Sequence, residues 1–486
     1  QQNPSVLPAE SLYAIEHDTM DTTFRSMYQG LYIYLSARKE RRDLLLSQRP
    51  PRFDESLDSM ISRSEDDFTR IALKAKAAQD YFLLIGPPGT GKTSCALKKM
   101  VETFHADKDA QILLLSYTNR AVDEICKSLA SIAPAVDFIR VGSELSCDEA
   151  YRGHLIENEL SSCNRRSEVY ERIRNCRIIV GTVAAISGKP ELFRLKHFDV
   201  AIIDEATQIL EPQLLGILCA RGEDGKDAID KFVLIGDHKQ LPAVVQQNTE
   251  QSAIYDESLL SIGLTNLKDS LFERLYRNCT ATVHRSYDML CRQGRMHPEV
   301  ALFANRAFYG GRLIPVGLPH QIESSDTICR LAFYPSVPEK AGASAKINYS
   351  EARIVADLAV RIYEDHQTDF DESRTLGIIT PYRSQIALIK KEIESLGIPA
   401  LNRILVDTVE RFQGSERDVI IYSFCVNYPY QLKFLSNLTE EEGVLIDRKL
   451  NVALTRARKQ MFITGVPELL ERNPLYKSLL KLIESF

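Results

Sequence analysis

The sequence predicts an α/β fold with two doubly wound parallel sheets. Short, nearly continuous runs of Ile, Leu and Val recur along the 486 residues, and charged amphipathic stretches such as 121–130 and 351–364 separate them. Runs of this length suit strands that are buried on both faces of a parallel sheet, and their alternation with helices is typical of layered α/β proteins. A gap at roughly 240–375 is too long for one crossover connection, so we expect two sheets.

The apolar runs define two halves of the chain. The first set of predicted strands covers 82–85, 112–115, 178–180, 200–203 and 232–235, and the second covers 376–379, 404–406, 419–422 and 461–463. We therefore expect a helical N-terminal arm over residues 1–60, a first domain over 61–285 and a second domain over 286–486.

The predicted arm differs in pattern from the two domains. We predict one helix over 21–46, which ends before Pro50 and Pro51 because proline cannot continue a helix. Residues 144–175 have a polar, helical pattern, and 428–447 has the pattern of a loop with an acidic end. A basic cluster in the arm fits either a solvated helix face or a surface that contacts nucleic acid: Arg38, Lys39, Arg41 and Arg42.

Composition limits the classes of protein. A net charge of −6 excludes a uniformly basic coat protein for nucleic acid, although a local basic channel is still compatible with it. The ten cysteines stand singly, which favours reduced thiols in an intracellular protein, cytoplasmic if the source is bacterial. No apolar run approaches the ~18 residues of a membrane span, so we expect no membrane partner. We expect a monomer. Because the first residue is Gln rather than Met, we expect a processed or trimmed chain, from which upstream domains can be missing.

A glycine-rich motif directly follows the first predicted strand. Residues 86–93 match the P-loop pattern G-x-x-x-x-G-K-[ST] between a strand and a helix, which is the context that this motif requires. The glycines allow backbone N–H groups to face phosphate oxygens, Lys92 would contact the β- and γ-phosphates, and the Thr93 hydroxyl would bind Mg²⁺. The predicted nucleotide-binding residues here are Gly86, Pro87, Pro88, Gly89, Thr90, Gly91, Lys92, Thr93 and Ser94.

Two acids follow a later predicted strand. Asp204 would bind Mg²⁺, and Glu205 could polarise an attacking water, so the pair indicates hydrolysis rather than transfer to a small acceptor. Gln240 follows the next strand, and its amide could sense a γ-phosphate through a hydrogen bond. We expect His238 at the surface or in a cap, with no catalytic role.

Further motifs continue in the same order along the chain. Together they resemble the motifs of superfamily 1 helicases, in the branch that contains the nonsense-mediated-decay helicase and the replication nuclease–helicase. The match covers roughly 65–465, and Ser116-Tyr117-Thr118 and the arm stretch 41–53 are most similar to the replication nuclease–helicase type. Beyond the P-loop, the motifs are LSYTNRAVD (115–123), GT (181–182), DEA (204–206), GDHKQLP (236–242), QGRMHP (293–298), TPYR (380–383), TVERFQGSE (408–416) and LNVALTRAR (450–458).

The resemblance implies two RecA-like domains that bind ATP and Mg²⁺ in the cleft between them. Arg295 and Arg456 would reach the γ-phosphate from the second domain as arginine fingers, which are worth ~10³–10⁵ in rate in related NTPases. Glu416 would hold the ribose, and Gln240 would couple the γ-phosphate to the nucleic-acid groove. The predicted catalytic residues are Lys92, Glu205, Gln240, Arg295 and Arg456.

The other motifs would line a groove for single-stranded nucleic acid across both domains. Short hydroxyl and amide side chains suit a grip on phosphates that does not read the bases. The ring of Tyr382 is either a stacking face for a base or a packed core aromatic. The predicted nucleic-acid-binding residues are Thr118, Asn119, Thr182, Pro242, Thr380, Tyr382 and Thr408.

These features predict an ATP-driven helicase or translocase on single-stranded nucleic acid, with DNA favoured over RNA and movement from 5′ to 3′ implied by the resemblance. The alternative is an NTP-gated clamp, or an RNA helicase with little unwinding of its own. A P-loop kinase is disfavoured because Gln240 and Arg456 would have no role in it.

Two departures from the family pattern concern the nucleotide base. Relatives carry an adenine-recognising Gln before the P-loop, where this chain has Phe68, and an aromatic residue before the Arg-Met pair, where it has Gly294. We therefore predict that GTP or CTP is hydrolysed within several-fold of ATP. A steady-state assay with a panel of nucleotides tests this, and a preference for ATP above about a hundredfold (~2.7 kcal/mol) would contradict it.

Overall fold

A computed structural model describes residues 22–245, 247, 250–282, 284–324, 328–339, 344–441 and 443–485. The strands are β1 Tyr81–Ile85, β2 Ile112–Ser116, β3 Phe138–Val141, β4 Ile178–Thr182, β5 Phe198–Ile203, β6 Ile229–Gly236, β7 Tyr287–Met289, β8 Arg292–Gln293, β9 Ile314–Pro315, β10 Leu331–Pro335, β11 Leu376–Ile379, β12 Leu405–Asp407, β13 Arg417–Ser423, β14 Leu438–Glu441, β15 Val444–Asp447 and β16 Ala457–Gly465. The helices are α1 Thr22–Ser36, α2 Lys39–Leu45, α3 Asp58–Arg63, α4 Asp67–Ala77, α5 Lys98–His105, α6 Asn119–Ala130, α7 Ile156–Glu159, α8 Arg166–Asn175, α9 Val183–Ser187, α10 Glu191–Leu195, α11 Glu211–Leu218, α12 Glu257–Ser261, α13 Leu271–Ala281, α14 Pro298–Tyr309, α15 Pro319–Ile322, α16 Tyr349–Asp365, α17 Arg383–Ser395, α18 Val409–Phe412, α19 Leu432–Leu435, α20 Arg448–Leu454, α21 Pro467–Leu470 and α22 Pro474–Ile483.

The first sheet has seven parallel strands in the order β3-β4-β2-β5-β6-β1-β7. Alternate residues of a strand enter different cores: Leu83 of β1 packs on one face of the sheet, and Phe82 and Leu84 pack on the other. Helices cover both faces, so the strands are buried on both sides, as their continuous apolar sequences predict. Because the strands are parallel, the residues that follow β1, β5 and β6 meet at one edge of the sheet.

The second sheet has five parallel strands in the order β10-β16-β13-β11-β12. Ile379 and Ile420 enter one core, while Ile378 and Ile421 enter the other, so this sheet is also covered on both faces. The predicted fold class of two doubly wound parallel sheets is confirmed. No helix within the described ranges has the length and apolar character needed to cross a membrane.

All nine predicted strands are present, with bounds that differ by a few residues. Strand β3 was not predicted, because Arg140 interrupts its apolar sequence. This arginine is nevertheless buried, and it pairs with Asp123 of α6. Strands β7 and β10, which lie at the sheet edges, were also not predicted. Edge strands are only partly covered and need not be continuously apolar.

Two expectations about segment boundaries need correction. The strand Tyr287–Met289 pairs with β1 and belongs to the first sheet, so that sheet extends past the expected boundary at 285/286. The segment 428–447 is not a simple loop, because β14 and β15 form an antiparallel hairpin within it. Glu440 and Glu441 lie on β14, and the third acid of this end, Glu442, lies outside the described residues.

In the described part of the arm, the single predicted helix over 21–46 is instead divided into the two helices α1 and α2. The break falls at Arg38, whose backbone is extended, and residues 1–21 lie outside the described residues. Arg221 donates to the carbonyl oxygen of Ser36 at the end of α1, and Arg41 donates to the carbonyl oxygen of Ile229 in β6 at 2.5 Å. Arg41 is buried, so this member of the basic cluster anchors the arm to the first sheet and is not a solvated or nucleic-acid-facing residue.

Candidate nucleotide site and nucleic-acid groove

The P-loop connects β1 to a π-helical turn, Lys92–Leu97, that continues into α5. Gly89 and Gly91 have φ angles of 74° and 73°, in the left-handed region that glycine adopts at low cost. Thr90 fixes the loop because its Oγ1 donates to the carbonyl oxygen of Pro87 at 2.7 Å. The loop therefore ends with its lysine and threonine at the start of a helix, where backbone N–H groups favour an anion.

The two acids lie beside the P-loop. Asp204 is buried, and its Oδ2 accepts a hydrogen bond from Thr93 Oγ1 at 2.5 Å. Glu205 has a φ of 54°, an uncommon conformation for a residue with a side chain. Its two carboxylate oxygens have different partners: Oε1 lies 2.8 Å from Lys92 Nζ, and Oε2 accepts from Gln208 Nε2 at 2.8 Å.

Burial and neighbouring charges shift the pKa values of Asp204 and Glu205. Burial, and then the charge of Glu205, raise the pKa of Asp204. Burial alone would also raise the pKa of Glu205, but the neighbouring Lys92 charge holds that pKa below its usual value. The carboxylate of Asp204 and the hydroxyl of Thr93 are hard oxygen donors that meet at one point. This donor set fits Mg²⁺, which takes one or two protein oxygens together with water and substrate phosphates.

Arg295 brings the second domain onto the P-loop. The backbone N–H of Gly294 donates to the carbonyl oxygen of Gly89 at 2.8 Å, and a Cβ placed on Gly89 would lie only 2.4 Å from Arg295 Cβ. Gly89 is therefore needed for close approach as well as for its backbone conformation. The Arg295 Nε donates to Glu416 Oε2 at 2.5 Å, so the predicted finger and the predicted ribose ligand contact each other.

Arg456 is buried at the boundary between the domains. Its guanidinium donates to neutral oxygens: the carbonyls of Val452 at 3.0 Å and Ser415 at 3.4 Å, and Oε1 of Gln240 at 3.2 Å. Burial, and then the nearby charge of Arg295, lower the pKa of Arg456 to about 9. Because these hydrogen-bond partners carry no negative charge, a bound anion would stabilise the buried guanidinium.

A cavity of about 1540 Å³ at the domain boundary brings most of the predicted nucleotide-site residues together. Gly86 is the exception, since it lies behind the loop against the Lys92 side chain. Phe68 and Gly294, the two positions that depart from the family pattern, also line this cavity. The predicted site residues that line it are Pro87, Pro88, Gly89, Thr90, Gly91, Lys92, Thr93, Ser94, Asp204, Glu205, Gln240, Arg295, Glu416 and Arg456.

A buried polar cluster joins the domains behind Gln240, and its role was not predicted from the sequence. Asp237 Oδ2 accepts from Gln240 Nε2 at 2.8 Å and from Tyr309 OH at 2.7 Å. Asn451 Nδ2 donates to Tyr309 OH at 2.8 Å and to the carbonyl oxygen of Lys239 at 2.7 Å. Asp237 and Asn451 lie within recognised motifs, but Tyr309 lies outside them, and only the fold brings it to this position.

Of the predicted groove residues, Thr118 and Thr182 begin helices at the carboxyl ends of β2 and β4. Their hydroxyl oxygens accept from the backbone N–H groups of Ala121 at 3.2 Å and Ala185 at 3.1 Å. Each hydroxyl proton can therefore still be donated to another group. Thr118 is exposed and Asn119 is half-buried beside it, whereas Thr182 is buried.

The remaining groove residues differ in how accessible they are. Pro242 lines the cavity, and Thr408 is half-buried after β12. Thr380 is fully buried, so the expectation that it lines the groove surface needs correction. Tyr382 is half-buried against the second core, and its OH accepts from Gln431 Nε2 at 3.1 Å. Its ring is therefore in part a packed aromatic, one of the two interpretations left open.

His238 is not a surface residue. It is buried, its ring lies 4.6 Å from that of Tyr276, and its Nε2 lies 3.1 Å from Glu441 Oε2 of the β14–β15 hairpin. This residue helps to join the hairpin to the first domain.

We expect Tyr309→Phe to destabilise the protein by about 1–3 kcal/mol. The substitution removes the donor to Asp237 and the acceptor for Asn451 while preserving the ring, and buried polar groups that lose a partner are costly. Urea unfolding measures the effect, with Tyr255→Phe, at an 83% exposed position, as the control. Equal unfolding midpoints for Tyr309→Phe and the wild type would contradict this account of the cluster.

Comparison with known proteins identifies relatives over nearly the whole chain. Two family models, each described as an AAA domain, match the chain. One matches two overlapping segments, residues 63–169 and 156–248, and the other matches residues 267–468. The DNA replication ATP-dependent helicase/nuclease DNA2 of Gallus gallus is 29% identical over 98% of this chain and 45% of its own length. The corresponding protein JHS1 of Arabidopsis thaliana is 28% identical over 98% of this chain and 35% of its own length. The DNA polymerase alpha-associated DNA helicase A of Saccharomyces cerevisiae is 24% identical, over 94% of this chain and 73% of its own.

The chain thus spans less than half the length of these two helicase/nucleases. The family models fall on the two parallel-sheet halves, and the relatives are named as ATP-dependent helicase/nucleases or as a DNA helicase. The chain is thus similar in sequence to superfamily 1 helicases, and among them to the replication nuclease–helicase type.

Proposed function

We propose that this chain is a motor that hydrolyses Mg-ATP between its two RecA-like domains and moves along single-stranded DNA from 5′ to 3′. The observation that carries the proposal is the convergence of Lys92 and Glu205 from the first domain with Arg295 and Arg456 from the second at one cavity. A site made from two domains can couple the state of a bound phosphate to the relative position of the domains.

In the proposed reaction, the P-loop and Lys92 hold the β- and γ-phosphates of ATP. Contact of the phosphate with Lys92 Nζ would compete with its 2.8 Å ion pair to Glu205 and free that carboxylate. In the pair with Lys92, the pKa of Glu205 lies below its usual value and the carboxylate is ionised. Once it is released from that pair, the carboxylate becomes a stronger base that can accept a proton from the attacking water. Glu205 is therefore the general base.

Asp204 and Thr93 would hold Mg²⁺. The bound ion supplies charge neutralisation on the phosphate oxygens. Arg456 and Arg295 act on the opposite side, where guanidinium groups stabilise negative charge that develops on the transferred phosphoryl group. Arg456 is the better placed of the two, because its present partners are neutral oxygens and those of Arg295 include Glu416.

Gln240 couples the reaction to movement. Its Oε1 accepts from Arg456 and its Nε2 donates to Asp237, which Tyr309 connects to the second domain. A change at the γ-phosphate would alter the Arg456 contact and thus the packing between domains. Thr118, which begins α6 beside the cavity, would move relative to the groove residues of the second domain.

DNA is the favoured track because two relatives that match 98% of this chain are named for DNA replication. The exposed Thr118 and the half-buried Thr408 can donate hydroxyl hydrogen bonds to phosphates without reading bases. The 5′-to-3′ direction follows from the resemblance to one branch of superfamily 1.

The test is steady-state ATPase activity without nucleic acid, with single-stranded DNA, and with single-stranded RNA of equal length. We expect strong stimulation by DNA, weaker stimulation by RNA, and strand separation of a tailed duplex. Equal turnover in all three conditions would contradict the motor and favour a clamp.

Two variants connect the assay to the site. Glu205→Gln should lower turnover by orders of magnitude and leave ATP bound, whereas Glu223→Gln, an exposed matched control, should change nothing. Lys92→Ala should abolish hydrolysis but retain measurable DNA binding. Full activity of Glu205→Gln would mean that another group is the base.

A further inference from the structure

An aromatic surface follows β13 in the second domain. Tyr430 and Phe434 are 54% and 70% exposed, and Tyr428 is half-buried beside them. The Tyr428 and Tyr430 rings are nearly parallel, with centroids 5.7 Å apart and an angle of 14°. Phe434 meets Tyr430 edge-on, at 6.5 Å and 81°. We call Tyr428, Tyr430 and Phe434 the aromatic platform.

The platform stands on a buried amide cluster. The Oε1 of Gln431 accepts from the backbone N–H groups of Asn427 and Tyr428, both at 2.9 Å. Its Nε2 donates to the carbonyl oxygen of Ala345 at 2.8 Å and to Tyr382 OH at 3.1 Å. Gln431 is only 2% exposed, so these bonds hold the segment in a defined conformation. Large rings that are held in place and exposed to water indicate an interaction surface.

The platform lies in line with the predicted groove. Strand β11 lies between β13 and β12 in the second sheet, and all three are parallel, so their carboxyl ends meet at one edge. Thr408 follows β12, Tyr382 follows β11, and the platform follows β13. The hydrogen bond from Gln431 to Tyr382 joins the platform directly to the groove residue.

We propose that bases of single-stranded DNA stack on Tyr430 and Phe434, which extends the groove past Tyr382. This inference rests on the proposed function. Aromatic faces stack on any base, so such a contact suits a motor that moves along every sequence. Lys433 and Arg383 are exposed on the platform segment and at the start of α17, where their charges can contact the DNA backbone. Nearby cations and continuity with the groove favour nucleic acid as the occupant.

The experiment compares binding of two labelled oligonucleotides, one of thymidine and one of the same length with abasic sites throughout. Three proteins are compared: the wild type, the double variant Tyr430→Ala/Phe434→Ala, and the single variant Tyr430→Phe as the control. We expect the double variant to bind the thymidine strand about 10-fold more weakly than the wild type, within the range for lost base–aromatic stacking. Tyr430→Phe should retain wild-type affinity because the ring remains.

The abasic strand isolates the stacking contact. On that strand the double variant and the wild type should bind equally, since neither can stack a base there. ATPase activity without DNA should be the same for all three proteins, because the platform lies outside the nucleotide site, and this checks folding. Equal affinity of the double variant and the wild type for the thymidine strand would overturn the inference. Failure of the wild type to bind either strand would instead overturn the proposed function, and this inference with it.

Discussion

The nucleotide site depends on the positive charge of Lys92, which acts on the buried Asp204 and the half-buried Glu205. Asp204 and Glu205 are adjacent in sequence, and burial and their mutual repulsion both oppose ionisation. Lys92 Nζ, 2.8 Å from Glu205, offsets this cost. The contact exists because β1 and β5 both end at the same edge of one parallel sheet, with β6 between them. The left-handed backbone of Glu205 then keeps its carboxylate within reach of the P-loop.

The second domain contributes positive charge to the same cavity. Arg456 is a buried cation surrounded by neutral oxygens, and Arg295 lies directly on the P-loop. At the cavity, the first domain therefore contributes the acids Asp204 and Glu205, and the second contributes the cations Arg295 and Arg456. The proposed binding of Mg-ATP would place the ion beside the acids and the phosphates beside the cations. The polar cluster of Asp237, Tyr309 and Asn451 fixes the position of Gln240 between these two charge centres.

The sequence predicts the central strands of the fold, and the structure brings most of the predicted nucleotide-site residues to one cavity, for a common physical reason. Strands such as β1 and β11 are buried on both faces and must be continuously apolar, and the P-loop needs particular residues at fixed spacing. Features that depend on long-range contacts were not predictable. Arg140 can be buried because it forms an ion pair with Asp123. The arm helix breaks at Arg38, although no proline or glycine stands there. Thr380 belongs to a recognised motif, but only the packed structure reveals that it is buried.

The most direct test of a site completed by both domains is the effect of Arg456→Ala on ATP turnover and, separately, on nucleotide affinity. We expect turnover to fall by about 10³-fold or more, because a cation that stabilises the transferred phosphoryl group is lost, while nucleotide affinity changes little. Arg403→Ala, at an exposed position of the same domain, should leave both unchanged. Turnover of Arg456→Ala within a few-fold of the wild type would contradict the claim that the second domain completes the catalytic site.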